Sequence, residues 1–539
     1  MYYLKIKAQK VQSFIFKVPR LKTMLGANSL LGQYFVHELP NIRDNYKQFK
    51  PWEDHICVLK ELPNWKNDNI LDNFKKGVIC SAGGHFETFL NDENDLNSFI
   101  KDVIQKAKEF IPNVKLSFYI KQYNDDIKSM SYDEFLKKGI EINDIQSLNS
   151  NNYYHIDNPF FRLSGEDGEN PEIDSSKKEH KKDSYITKLI KKQGKSFAEF
   201  KTNDHLCQLL KEIQEKLGKN FPDNLGKKPK DISSSGIDDR FFLADASLIP
   251  GNNKIAIISI DGNAMGEQFN IFLNNFKKSN TFDAMVEFEK FWFDQRNKMR
   301  SAIKNSISTT DFNEYPDYLP FNILMLGGDD LLMVTVPELA IPLTISICQN
   351  LDKKLTVSAG IAIIKHSYPF SHGNDLANSL LDSAKIKSRK WNNDTKLIEY
   401  ENAIDWHIHF TSGITDIDTI RKSNYYLQYG ENSEILTQKP YFIDKANEIW
   451  EKSKELYKSI QSEDGDAAGR NKYKRVRNLL KKGERHVKLY GKLLCLDKDQ
   501  HININYEELG NEHLSFKINN SLDIIELMDL HKRRKQWKL

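Results

Sequence analysis

The sequence predicts an α+β fold: two ferredoxin-like units joined and followed by helical segments. Three observations predict it. Two apolar hairpins, Gly77 to Leu90 (GVICSA-GG-HFETFL) and Phe321 to Val336 (FNILML-GGDD-LLMVTV), each carry a Gly-Gly pair at the turn. A β-branched or aromatic run stands well upstream of each hairpin, and a helix-spaced segment and a further strand stand downstream. The repeated order β, α, β-hairpin, α, β reads as an internal duplication.

In chain order, Tyr2 to Lys7 reads as a strand, and Leu21 to Leu31 as a helix after the lead-in VQSFIF. Gly83 and Gly84 then turn the first hairpin, with His85-Phe86 in the places that Asp329-Asp330 hold in the second. Phe99, Ile100, Val103, Ile104, Ala107, Phe110 and Ile111 follow helical spacing, and Val114 to Ile120 is a strand. This first palm is expected over 1–125. A helical middle domain, 126–245, contains the polar, mixed-charge stretch 164–184, expected to be a mobile loop, and a linker at 226–236. The second palm, 246–400, repeats the order with strand 254–260, a helix near 283–304, hairpin 321–336, helix 337–351, strand 355–364 and helix 373–390. A C-terminal helical domain is expected over 401–539. Its basic run from Arg470 to Lys492 suits either phosphate contact or a solvated helix face. His407 and His409 alternate as on a strand and read as structural, because no cysteine or carboxylate stands at ligand spacing.

The chemistry gathers at the second hairpin. Asp329 and Asp330 at the tip of a largely buried sheet repel one another and lose hydration unless a cation neutralises them. The plain alternative is an ordinary Asp-containing turn. Asp261 ends the β-branched run Lys254 to Ile260, and if that strand pairs beside the hairpin, the three carboxylates can share two hard cations such as Mg²⁺ or Mn²⁺. Two such ions suit phosphoryl transfer.

Composition sets bounds. The 539-residue chain carries 78 basic and 75 acidic residues, a net charge of +3, so bulk charge does not indicate nucleic acid and any basic surface is local. Five scattered cysteines without a CxxC pair argue against a zinc ribbon and against a disulfide framework. No apolar run is long enough to span a bilayer, so a cytoplasmic protein with no membrane partner is expected.

Together VQSFIF, RLKTMLGANSLL, DGNAMG and LGGDD resemble the large polymerase/cyclase subunit of type III CRISPR effector complexes, of the Csm and Cmr kinds. The resemblance covers about 1–125 and 246–400, and more loosely the helical C-terminal part. It implies two facing palms that join ATP into cyclic oligoadenylate messengers, with Asp261, Asp329 and Asp330 as catalytic metal carboxylates. Nucleotide would meet Gly262, Asn263, Gly266, Gly327, Gly328, Ser13, Gly83 and Gly84, and Lys385 would meet triphosphate. Guide RNA and other effector subunits are the implied partners. Three departures stand out. The chain opens on the first palm, so the family's HD nuclease domain and DNA cleavage are not expected; the middle domain lacks the family's cysteine metal site; and the usual Asp-Gly-Asp is Asp261-Gly262-Asn263. A palm scaffold that binds RNA or protein and a diguanylate cyclase-like enzyme are the competing readings, although the latter usually has Glu-Phe where this chain has Asp330-Leu331.

Overall fold

A computed structural model of the protein describes residues 1–17, 21–46, 70–112, 114–142, 185–198, five positions within 206–213, 254–310, 312, 320–352, 354–394, 396–409, 416–429, 432–463, 475–483, 486, 507–509, 516–518 and 520–531. The stretch 164–184, the linker 226–236 and most of the basic run 470–492 lie outside the described residues.

The first palm is built from β1 (Tyr2–Gln9), α1 (Val11–Ile15), α2 (Leu21–Gln33), β2 (Val78–Ala82), β3 (His85–Leu90), α3 (Glu93–Phe110) and β4 (Lys115–Gln122). After it come α4 (Tyr132–Lys138), β5 (Ile140–Glu141) and α5 (Tyr185–Ala198). The second palm begins with β6 (Lys254–Gly262), α6 (Met265–Phe276), α7 (Thr281–Thr309), β7 (Phe321–Leu326), β8 (Leu331–Thr335), α8 (Pro337–Asn350), β9 (Val357–Lys365) and α9 (Phe370–Ser388). The chain continues through β10 (Arg389–Asn392), β11 (Leu397–Tyr400), β12 (Ala403–Ile408), α10 (Ile417–Tyr425), β13 (Tyr426–Tyr429), β14 (Asn432–Ile435), β15 (Tyr441–Phe442), α11 (Ile443–Glu463), β16 (Glu507–Leu509), β17 (Phe516–Ile518) and α12 (Ser521–Met528).

The two palms share one topology. Their sheets run β2-β3-β1-β4-β5 and β15-β12-β9-β6-β8-β7, and in each the opening strand lies between the second hairpin strand and the closing strand, antiparallel to both. This is the ferredoxin-like arrangement that the duplicated order predicts. β9 is buried along almost its whole length, so it reads as an unbroken apolar run rather than an alternating one. Gly360 of β9 lets α9 approach at backbone distance, since a Cβ there would lie 2.1 Å from the Ala377 carbonyl oxygen.

Three expectations are corrected. His85 and Phe86 do not stand in the places of Asp329 and Asp330: they open β3, and the first turn is the two-residue Gly83-Gly84, whereas Gly327 to Asp330 all lie between the strands. The expected break at 400 falls inside the second palm, because β12 pairs in parallel with β9 and extends its sheet. The C-terminal part is not helical alone: β13, β14, β17 and β16 form a four-stranded sheet of very short strands. In that part a fully buried cluster fixes α12, with Lys439 Nζ 3.4 Å from both Asp523 and Glu526 and the Tyr441 hydroxyl donating to Asp523 at 2.6 Å.

The palms meet across α7. Phe282 and Met285 of α7 join Tyr3 and Phe89 of the first palm and Phe135 of α4 in one buried cluster, and Thr281 donates to the Met130 carbonyl through both its amide and its hydroxyl. The packing is reciprocal, with α7 against β2 and α2 against β7.

Candidate active site between the palms

β6 delivers Asp261 and Gly262 beside the second hairpin. Gly262 is required there, because a Cβ would lie 2.6 Å from Asp329 Oδ2. In the hairpin connection, the Gly327 amide donates to the Asp330 carbonyl at 2.9 Å, and Asp330 Oδ1 occupies the space a Gly327 Cβ would need, 1.6 Å away. The GGDD sequence thus folds its second acid back over its first glycine. Burial, then the charges of Asp261 and Asp330, push the Asp329 carboxyl up to about 6, and burial with the charge of Asp261 raises Asp330. A cation stands beside them: α9 brings Lys385 into contact with Asp261.

Asp261 and Gly327 to Asp330 open on a cleft of about 860 Å³ whose opposite wall includes Gly83 and Gly84 of the first palm. Those two glycines have φ of 60° and 77°, which permits the two-residue turn, and the Gly84 carbonyl accepts from the Ala8 amide at 2.8 Å. The two glycine hairpins therefore face one space.

Other predicted residues stand away from the cleft wall. Asn263 is buried and holds the strand end: its Oδ1 accepts from the Ser358 hydroxyl at 2.7 Å, its amide donates to the Thr356 carbonyl at 2.8 Å and its Nδ2 to the Glu401 carbonyl at 3.3 Å. Its side chain is thus spent on the strand end, and it does not line the cleft. Ser13 on α1 and Gly266 in the first turn of α6 are exposed. Among the described residues no three His, Cys, Asp or Glu side chains converge as a metal-ligand group, and Asp261 is engaged by Lys385.

Sequence reading missed the charged residues of the first-palm wall. Lys5 and Glu87 are cross-strand partners 2.7 Å apart, and the Tyr3 hydroxyl donates to Glu87 at 2.7 Å. Burial and the neighbouring Lys5 and Lys7 hold His85 below its ordinary value. Arg296 and Arg300 of α7 also reach the cleft. The available signal was the alternation of His85 and Glu87 with Phe86, which puts the polar pair on one strand face.

Residues 254–393 match the family model described as Cas10/Cmr2, second palm domain. No curated protein matches the chain. Among solved structures, a Csm1-Csm4 cassette in complex with pppApA is 12% identical, with 99% of this chain and 69% of that chain covered and a TM-score of 0.45. The apo Csm1-Csm4 cassette is also 12% identical, with 87% and 63% covered and a TM-score of 0.37, so this chain spans less than two thirds of its length. The cassette in complex with cA4 is 11% identical, with 87% and 64% covered and a TM-score of 0.35. No helix among the described residues is long and apolar enough to cross a membrane. In residues 254–393, the part that carries GGDD and its partner strand, the chain is Cas10-like and holds a second palm domain of the Cas10/Cmr2 family.

Proposed function

We propose that the protein is a nucleotidyltransferase that uses Mg²⁺ or Mn²⁺ to join ATP into cyclic oligoadenylate, in a type III CRISPR setting with guide RNA and other effector subunits as partners. The observation that carries this reading is that Gly83-Gly84 and Gly327 to Asp330 open on one cleft with Asp261 at its edge. A donor and an acceptor nucleotide need two facing sites, and glycine at each hairpin lets backbone approach them closely.

The carboxylates suit a divalent cation because burial, and after it the charge of the neighbouring carboxylates, disfavours their ionised forms and raises Asp329 and Asp330. Asp261, Asp329 and Asp330 would hold it, with Lys385 released from Asp261 toward phosphate. When bound, such an ion lowers the pKa of an attacking 3′-hydroxyl and neutralises charge on the departing pyrophosphate. Gly262 and Gly327 keep the acids close to the backbone, and Lys385 supplies a positive charge without reading the base. The choice of adenine rests on the family resemblance.

The test incubates pure protein with each of the four labelled NTPs and Mg²⁺ or Mn²⁺, with and without RNA. ATP consumption that is abolished by combined Asp329→Asn and Asp330→Asn, with the thermal transition kept, is expected. Wild-type rates in the double variant would exclude the carboxylate assignment. Preference for GTP would replace adenylate by a guanylate cyclase-like reaction, and no turnover under any condition would leave a palm scaffold.

A further inference from the structure

β10 and β11 form a two-stranded ribbon outside both palm sheets. Its register pairs Arg389 with Tyr400, Lys390 with Glu399 and Trp391 with Ile398. Because side chains alternate along a strand, Arg389, Trp391, Ile398 and Tyr400 share one face, and Lys390, Asn392 and Glu399 share the other. The faces differ in how their charges are paired. On the second, Lys390 bonds Glu401 at 2.6 Å and Asn392 bonds Glu399 at 2.6 Å.

On the first face, Trp391 is 60% and Ile398 50% exposed although they are direct cross-strand neighbours. Arg389 is exposed and has no acidic partner at ion-pair distance among the described residues. Glu267, on the α6 side of this face, accepts from the Tyr400 hydroxyl at 3.2 Å. One turn further along α6 stands Ile271, 67% exposed. An indole left in water beside an unpaired guanidinium is complementary to a ligand that has both a π-face and a negative charge.

We propose that this ribbon face is a platform for single-stranded nucleic acid: a base stacks on Trp391 against Ile398, and an adjacent phosphate pairs with Arg389. An apolar protein surface would suit the indole but would bury the guanidinium without an acid. A duplex would offer the phosphate without a free base face. The inference is independent of the proposed reaction, since it asks nothing of the carboxylates.

The test measures binding of a fluorescein-labelled 12-nucleotide single-stranded RNA to the full chain by anisotropy, in EDTA and over a range of salt. Trp391→Ala is expected to weaken binding at least about fivefold, the lower end of what base–aromatic stacking provides. Trp391→Phe should recover part of the loss. Arg389→Ala should lower the slope of log affinity against log salt by about 0.7, the value for one phosphate of a single strand. Lys390→Ala, on the opposite face, should leave the Trp391-dependent loss intact and change affinity less than Arg389→Ala. All three positions are exposed on the ribbon, so an unchanged melting temperature is the accompanying control. Absence of binding by the wild type, equal binding by Trp391→Ala, or a Lys390→Ala effect as large as that of Arg389→Ala would each overturn the proposal.

Discussion

Asp329 shows how one residue can report on the whole site. Its carboxyl is pushed from 3.8 to about 6, first by burial and then by Asp261 and Asp330. The folded value lies above the unfolded one, so the site costs nothing below about pH 4. As pH rises, the unfolded chain ionises first, and the destabilisation is complete above about pH 6. Two units correspond to about 3 kcal/mol at most, and solvent at the partly exposed side chain lowers that figure. In EDTA, Asp329→Asn should therefore raise the melting temperature by a few degrees at pH 8 and leave it unchanged at pH 3.5; an equal effect at both pH values would sever the link to ionisation. Lys385 makes a second residue-scale prediction. Lys385→Ala should raise the apparent KM for the triphosphate, Lys385→Arg should recover part of it, and the ranking of the four NTPs should stay fixed, as rates on an NTP panel would reveal. The acids were legible in the sequence because carboxylates at a strand end and a hairpin tip are costly without a purpose. Asn263 was not, since the groups that satisfy it, Ser358 and the Glu401 carbonyl, lie far along the chain.

At the scale of elements, the position of α9 decides whether Lys385 reaches Asp261. That position is set by two glycines. Gly360 admits the α9 backbone, and a Cβ at Gly373 would lie 2.5 Å from Ile364 Cδ1 and 2.8 Å from Ile257 Cδ1. Gly360→Ala meets the Ala377 carbonyl rather than a flexible side-chain end, so the helix itself must shift, at a cost of about 3 kcal/mol. Denaturant unfolding should show that loss, and turnover should fall with it as Lys385 moves; unchanged stability would mean that α9 is free to slide on β9. Most strands and helices of both palms could be read from periodicity, since they bury a regular stripe or an unbroken apolar run; α6 was not read, and Met265 is the one residue it buries. The alternation of His407 and His409 marked β12 as a strand, but its place in the second palm sheet was not legible, because its pairing with β9 forms only in the tertiary structure. The short strands β13 to β17 offer too few residues for any period to appear. The Gly83-Gly84 turn of the first hairpin was legible, but its equivalence with the second was not, since two residues complete the first connection while the second takes all four of Gly327 to Asp330.

For the whole molecule, the cleft exists only while the palms hold each other. The cluster that joins them is aromatic, with Phe89 and Phe282 centroids 5.6 Å apart and Tyr3 and Phe135 5.4 Å apart in edge-on contact. Most polar contacts named across the same seam are backbone to backbone: besides the Thr281 contacts, the Tyr132 amide donates to the Ser279 carbonyl and the Asp133 amide to the Lys277 carbonyl, both at 3.0 Å. A seam made of buried rings and main-chain bonds does not loosen piecewise, because opening it exposes apolar area and unpaired amides together. The palms should therefore unfold as one unit. Phe282 is 2% exposed, and Phe282→Ala removes a ring that no neighbour can replace, at about 3–5 kcal/mol. Calorimetry of this variant should show the transition of both palms moved down together, with nucleotide turnover lost at temperatures where the wild type remains active. Phe282→Leu should fall between the two. If the variant instead split the transition, one part keeping the wild-type temperature, the palms would be stable separately and their facing hairpins would be held by something other than this seam.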